Sequence, residues 1–472
     1  MSGLSDKKSV SKETLATAGL FTSFMFLQLV ILRIANQAGR GYYSDARQER
    51  VYYLVQIFVI LGFFAYALSE KLLRKRRSAQ GVTAAVLTLL LAGAAGMLLT
   101  PSSVPLSVVL TFVTAVFLGY TCGAVYHRMA LATASGLKTA FCMSVGYGVA
   151  VALQYAVQLR WTVFPLQCVL MAAAFAVLGA LLLRSPEGGD AVPAAGGAVT
   201  KRNLLCCALI GVLLPLFPAF YNGYIHHLQV ATGYTDYNVY SWPRLMLIPA
   251  YLFFGWIGSL RNQKVLPITV LCVSILALLN SVLTVSSGSY RLNMCLFYIV
   301  LAAEVSYYNL TFWRLAVRTK HPAFWASIGR VFDSVSVLLA AAFRLASLST
   351  AAVLTINIAE LAAVIVLMAV NGDFILSSPP VPLPAEVRLE PQLTPENVSG
   401  ETALDKIRDR YGLTRAELNV LRELVLTEDK QAAIGEKLSI KVRTVQAYVT
   451  SIYRKTGVST RAGLVQLYNE NE

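Results

Sequence analysis

The stretch KVRTVQAYVTSIYRKTG, residues 441–457, carries Lys441, Arg443, Arg454 and Lys455 and no acidic residue. At helical spacing Val445, Val449 and Ile452 share one face, which leaves Arg443, Gln446, Ala447, Thr450 and Arg454 on the other. Cations on such a face can neutralise phosphates. A glutamine amide can pair bidentately with adenine, and an alanine or the methyl of a threonine can meet a thymine methyl. The chemistry open to this face is recognition of double-stranded DNA, adhesion to anionic lipid, or plain solvation in an interaction domain.

A second set of residues is conspicuous because it is charged where the chain is apolar: Arg33, Arg244, Glu304, Arg330, Asp333 and Glu360. Ionisable groups inside membrane spans are costly, so each is a candidate site. Arg330 and Asp333, three apart, can pair on one helix. Glu304 and Glu360 either line a central cavity or pair with Arg244 or Arg314, and Arg33 lies close enough to a span end to snorkel. Arg244, Glu304, Arg330, Asp333 and Glu360 form the candidate set for a small-molecule ligand. The aromatics of 221–242 read as an interfacial belt or a ligand vestibule. His226 and His227 are adjacent and splay apart on a helix, so no metal site is expected. The seven cysteines fall in or beside apolar runs and read as small buried residues. "SGLKT" (135–139) lacks the upstream glycine of a phosphate loop. No enzyme chemistry and no cofactor are expected.

The elements that must carry these residues follow from composition. Of 472 residues, 56% are hydrophobic and 14% charged, and the net charge of +15 is gathered mostly in short clusters between apolar runs. A bilayer is the expected solvent. Runs of roughly 20 apolar residues, the length of a span, are centred on 14–36, 51–69, 82–100, 105–126, 139–158, 162–183, 204–226, 241–259, 265–287, 291–312, 324–344 and 350–370. The first is long, lacks a cleavage signal and is expected to be retained. Basic connections at 70–77, 127–138, 184–202, 261–264 and 314–320 alternate with connections poorer in charge. They place both termini of a multi-pass chain in the cytoplasm. The expected fold is all-α: residues 1–13 a cytoplasmic segment, 14–183 and 204–370 two six-span halves around a cytoplasmic loop at 184–203, 371–400 a proline-rich linker, and 401–472 a small helical domain. Six spans, a long mid-chain loop and six more, with the basic "EKLLRKRR" after the second, resemble the major facilitator superfamily. That resemblance implies two halves rocking about a central cavity, although the superfamily's full signature after the second span is not complete here.

In the tail, helices are expected at about 402–410, 414–427, 430–438, 442–456 and 459–469. The segment 430–456 has helix-turn-helix layout, with Ala433, Ile434 and Leu438 inside its first helix. "LTRAELNVL" (413–421), "AAIGEKLSIKVRTVQAYV" (432–449) and "IYRKTGVSTR" (452–461) together resemble the LuxR-type DNA-binding domain. The resemblance implies base-edge contacts from Gln446, Ala447 and Thr450, phosphate contacts from Arg443, Thr444, Arg454 and Lys455, and a dimer face at Leu464, Leu467 and Tyr468. It implies dimerisation on DNA and allows RNA polymerase as a further partner. Lys441, Val442, Gln446 and Tyr448 depart from the usual residues of that family, which leaves the preferred DNA sequence open. The expected function is a membrane-integrated one-component transcription regulator sensing a small molecule. The alternatives are a transporter of the major facilitator type with a regulatory DNA-binding tail, and a membrane scaffold whose tail binds protein.

Overall fold

The computed structural model describes residues 3–37, 45–73, 76–99, 104–159, 164–184, 199–232, 241–260, 265–287, 290–342, 348–370, 403–427, 429, 431–438, 440, 442–456, 458 and 460–469. Among them the chain is helical throughout, without strands, and divides into two compact units, Met1–Arg388 and Leu389–Glu472. The linker expected at 371–400 and most of the loop expected at 184–203 lie outside the described residues.

The first unit contains α1 (Gly3–Gln37), α2 (Asp45–Leu72), α3 (Arg76–Leu99), α4 (Val104–Ala134), α5 (Thr139–Leu159), α6 (Phe164–Leu183), α7 (Lys201–Thr232), α8 (Leu247–Gly258), α9 (Val265–Ser287), α10 (Tyr290–Ala316), α11 (Pro322–Ala342) and α12 (Thr350–Val370). Among the described residues, ten of its helices are long and apolar enough to cross a membrane. The span expected at 241–259 is broken: a 3₁₀ turn, Trp242–Met246, leads into an α8 of 12 residues. The cause is local, since Pro243 lacks an amide hydrogen and favours a first turn. At about 2.0 Å per residue for the turn and about 1.5 Å for the helix, the pair still extends about 28 Å, close to a hydrocarbon core.

Helices with apolar residues on every face bury little by amphipathicity, so their contacts depend on close approach. Gly62 of α2 and Gly119 of α4 face each other; a Cβ on Gly62 would stand 2.1 Å from the Val116 carbonyl oxygen, and one on Gly119 equally close to that of Val59. α5 and α8 meet similarly, where a Cβ on Gly255 would lie 2.1 Å from the Ser144 side chain. Helices early and late in the chain pack together through α5 with α8, α2 with α11, and α4 with α10 and α11. An aromatic cluster joins them: Phe21 of α1 lies 5.2 Å from Tyr147, 5.7 Å from Trp313 and 6.1 Å from Tyr126, and Tyr147 stacks on Tyr251 at 4.2 Å.

The second unit holds α13 (Ala403–Tyr411), α14 (Arg415–Leu426), α15 (Gln431–Lys437), α16 (Val442–Thr456) and α17 (Arg461–Asn469). Its own core is made of Ile407, Leu418, Leu421, Leu424, Ile434, Val445, Val449, Ile452 and Leu464, with Leu438 packed against it. Ala433 is half-buried. Leu464, expected on a dimer face, is instead wholly buried in this core, and Leu467 and Tyr468 are half-buried against it. The domain is too small to leave a leucine of its closing helix unused.

Candidate nucleic-acid interface

α14 begins with a capping box. The Thr414 hydroxyl accepts from the Glu417 amide at 3.3 Å, and the Glu417 carboxylate accepts from the Thr414 amide at 2.7 Å. The same carboxylate, almost fully buried, reaches across the domain. It accepts from the Ser451 hydroxyl at 2.6 Å and from the Lys455 ammonium at 2.8 Å, and Lys455 also donates to the Gly412 carbonyl at 3.0 Å. Burial by itself pushes the Glu417 carboxyl up, but Lys455, then Ser451 and Thr414, outweigh it and hold it at about 2. Glu417 thereby ties the scaffold helix α14 to the last turn of α16.

A second tie fixes α17. The Arg461 guanidinium donates to the carbonyls of Leu424 at 2.8 Å, Asp429 at 2.6 Å and Thr427, gathering the end of α14 and the connection to α15. Lys437 on α15 pairs with Asp429 at 2.5 Å and Glu423 at 3.1 Å; its hydrogen bond holds the Asp429 carboxyl below its usual range. Between α15 and α16 the chain approaches closely: the Ile440 amide donates to the Gly435 carbonyl at 2.9 Å, and a Cβ on Gly435 would stand 2.9 Å from the Ile440 oxygen. The angle between the two helices of the helix-turn-helix is set there.

With Val445, Val449 and Ile452 facing inward, Gln446, Ala447 and Thr450 are exposed on the outer face of α16. Thr444 is half-buried. Arg443 and Arg454 lie on α16, their side chains outside the described residues. Lys455, expected at the phosphates, directs its ammonium to Glu417. The acceptors and donors of Gln446 and the methyls of Ala447 and Thr450 form one strip that can address base edges in a major groove. Two of the residues that hold this strip in place, Ser451 and Arg461, were not assigned these ties from the sequence. Their partners lie 34 and 32–37 residues away, beyond any local pattern.

A small helical domain in which a helix-turn-helix presents an exposed hydrogen-bonding strip belongs to the class of DNA-binding domains of transcription regulators. Residues 412–468 match the family model of bacterial regulatory proteins, luxR family. The tail is thus a LuxR-type helix-turn-helix domain, a regulatory DNA-binding module rather than an enzyme. No curated protein matches the chain.

The charged residues of the first unit are placed as follows. Arg330 donates to Asp333 on α11, and their side chains keep 21% and 19% of their surface exposed. Tyr126, Tyr147 and Tyr308 stand within electrostatic reach of Arg330. Tyr126 and Tyr147 bring their hydroxyls to 3.2 Å of each other, and the Asn309 amide donates to Tyr147 at 3.2 Å. Arg244, in the 3₁₀ turn, is half-buried, as is Arg33 near the end of α1. Arg314 donates to the Gly258 carbonyl at 3.1 Å. Glu304 and Glu360 are buried with neither carboxyl oxygen hydrogen-bonded, so the pairing with Arg244 or Arg314 left open by the sequence is not formed. Tyr308, Asn309 and Trp313 on α10 also keep buried polar atoms without partners. Sequence reasoning passed over these three, although polar and aromatic residues inside an apolar run were a signal available to it.

Proposed function

We propose that the chain is a membrane-integrated one-component transcription regulator. The observation that carries the reading is a LuxR-type domain with Gln446, Ala447 and Thr450 on its exposed face, in one chain with ten helices long and apolar enough to cross a membrane. Gln446, Ala447 and Thr450 read bases; Arg443, Thr444 and Arg454 position the domain on phosphates. Lys455 acts through the fold, since its ammonium is held by Glu417. The tail dimerises on DNA, and RNA polymerase is a further partner. A small molecule bound among Arg244, Arg330, Asp333 and their tyrosine neighbours favours one arrangement of the membrane helices, in proportion to its differential affinity for the two states. The membrane is the bacterial inner membrane, with both termini in the cytoplasm and a membrane unit of major facilitator type.

The test is genome-wide chromatin immunoprecipitation of the tagged full-length protein, with Arg443→Ala/Gln446→Ala as control. Discrete peaks lost in the double variant, at unchanged protein level, are expected. Absence of peaks, together with failure of the isolated tail to bind DNA fragments at low salt, would overturn the reading.

The unpartnered Glu304 and Glu360 favour a second reading, in which the membrane unit also moves a solute. That reading requires uptake into proteoliposomes that Glu304→Gln abolishes while DNA binding persists.

A further inference from the structure

Inside the late-chain helices two networks of buried polar groups contrast. Asn293 of α10 is fully engaged: its Oδ1 accepts from Tyr221 at 2.7 Å and from Asn280 at 2.6 Å. Glu304 of α10, Glu360 and Asn357 of α12, and Ser274 of α9 are also buried. Yet every carboxyl, carboxamide and hydroxyl atom of these four side chains lacks a hydrogen-bond partner. The first three are 1%, 7% and 0% exposed. Asn357 and Glu360, three apart, share a face of α12, which packs against α7 and α9, while α10 packs against the same two helices. Glu304 and Glu360 lie within electrostatic reach of each other.

The third contribution comes from the backbone of α7, which is interrupted by Pro215 and Pro218. Neither proline has an amide hydrogen, and Pro218 leaves the carbonyl of Leu214, one turn before it, without its usual intrahelical donor. Glu360 lies against the backbone of Phe217, between the two prolines, without reaching hydrogen-bond geometry. Carboxylates, a carboxamide oxygen, a hydroxyl and a proline-freed carbonyl are hard oxygen donors. With no imidazole or thiolate among them, they suit an alkali or alkaline-earth ion and not a transition metal.

Two ionised carboxylates so deep, with no cation between them, would cost several kcal/mol each. Of the neighbouring charges, Asp333 is bound to Arg330 and Arg314 donates to the Gly258 carbonyl. α9 has no charged residue and α12 none besides Glu360, while α7 has its only Lys and Arg, Lys201 and Arg202, at its first turn. Arg291 of α10 and Arg244 of the 3₁₀ turn also lie on elements next to the site, but the charges acting on Glu304 are those of Glu360 and Asp333, which leaves protons or a bound ion to balance the pair.

We propose that Glu304, Glu360 and Asn357, with Ser274 and the proline-freed Leu214 carbonyl of α7, form a binding site for Na⁺, in which one sodium ion displaces one proton. The step conserves charge: two neutral carboxyls become one carboxylate, one carboxyl and one Na⁺, and a proton leaves to solvent. Occupancy draws α7, α10 and α12 together and so gives the membrane unit an ionic input independent of the DNA-binding reading.

The experiment is a scintillation-proximity measurement of ²²Na⁺ binding to the purified full-length protein in lipid nanodiscs. A choline chloride background is used at several pH values, with Ca²⁺, Mg²⁺ and K⁺ as competitors. Saturable binding is expected, with an apparent affinity that weakens about tenfold for each unit of acidification where one proton competes. Glu360→Gln and Glu304→Gln should abolish it. Asn357→Ala, which leaves both carboxyls in place, should weaken it at least tenfold. Thermal unfolding without Na⁺ should be unchanged in the two glutamine variants, because each mimics the neutral acid. No saturable binding by the wild-type protein at alkaline pH, binding indifferent to all three variants, or displacement by Ca²⁺ or Mg²⁺ at lower concentration than by Na⁺ would each overturn the assignment. No readout involves DNA, so its failure leaves the regulator reading untouched.

Discussion

Glu417 concentrates the tail's stability in one carboxylate, which caps α14 and receives Ser451 and Lys455 from α16. Its folded pKa of about 2 lies below the ordinary glutamate value of 4.5. The stabilisation is therefore complete above about pH 4.5 and is lost as the pH falls through about 2. Glu417→Gln keeps the shape but leaves Lys455 facing a neutral group; it should destabilise the tail by about 1–3 kcal/mol at neutral pH. Urea unfolding of the tail at pH 7 and pH 3 checks this: the wild type should lose more stability on acidification than the variant, and equal losses would refute the role given to the carboxylate. At this scale the sequence was uneven. Thr414 and Glu417 show capping-box spacing in "LTRAEL", so their local part was legible. The ammonium of Lys455 was expected at phosphates because nothing in a helical wheel reveals a partner 38 residues away.

Among the elements, the tail helices were legible because their apolar periodicity is strong and each has one inner face, as Val445, Val449 and Ile452 illustrate. The membrane helices announce length but not neighbours, since apolar residues on every face carry no periodic signal. The approach of Gly62 to Gly119, and the replacement of a full span by a 3₁₀ turn and a short α8, became visible with the packing. Gly435 is where backbone comes close to backbone in the tail. An alanine there would gain up to about 1 kcal/mol of helix propensity, but its Cβ would meet the Ile440 carbonyl oxygen at 2.9 Å, and a backbone atom cannot rotate away. The clash should win. Gly435→Ala is expected to lower the tail's stability by about 1–3 kcal/mol and to weaken DNA binding by tilting α16. Chemical denaturation with a DNA titration checks both, and a stabilised variant would show that α15 and α16 can part without loss.

For the whole molecule, the proposed function raises the question of how a DNA reader would work from a bilayer. The two compact units are separate in the chain, and the tail has a core of its own, so the isolated tail should fold and bind DNA fragments without the first unit. The connection is what the membrane constrains. The segment NGDFILSSPPVPLPAEVRLEPQLTPENVSG, residues 371–400, is rich in proline. If, as its composition leads us to propose, that stretch is extended at about 3.1 Å per residue, its reach is about 90 Å. DNA is a stiff, highly charged rod that does not lie flat on an anionic membrane without cost, so reach should limit occupancy in the cell. Deleting residues 376–395 removes about 60 Å of that reach while leaving every helix of both units in place. Promoter occupancy measured by chromatin immunoprecipitation should then fall severalfold, with DNA affinity of the purified protein in detergent unchanged. Replacing the deleted stretch with a proline-rich segment of equal length and unrelated sequence should restore occupancy, because extension and not side-chain identity is the property required. If the deletion changed nothing in the cell, the DNA must come to the membrane, and the length of the connection would need another explanation.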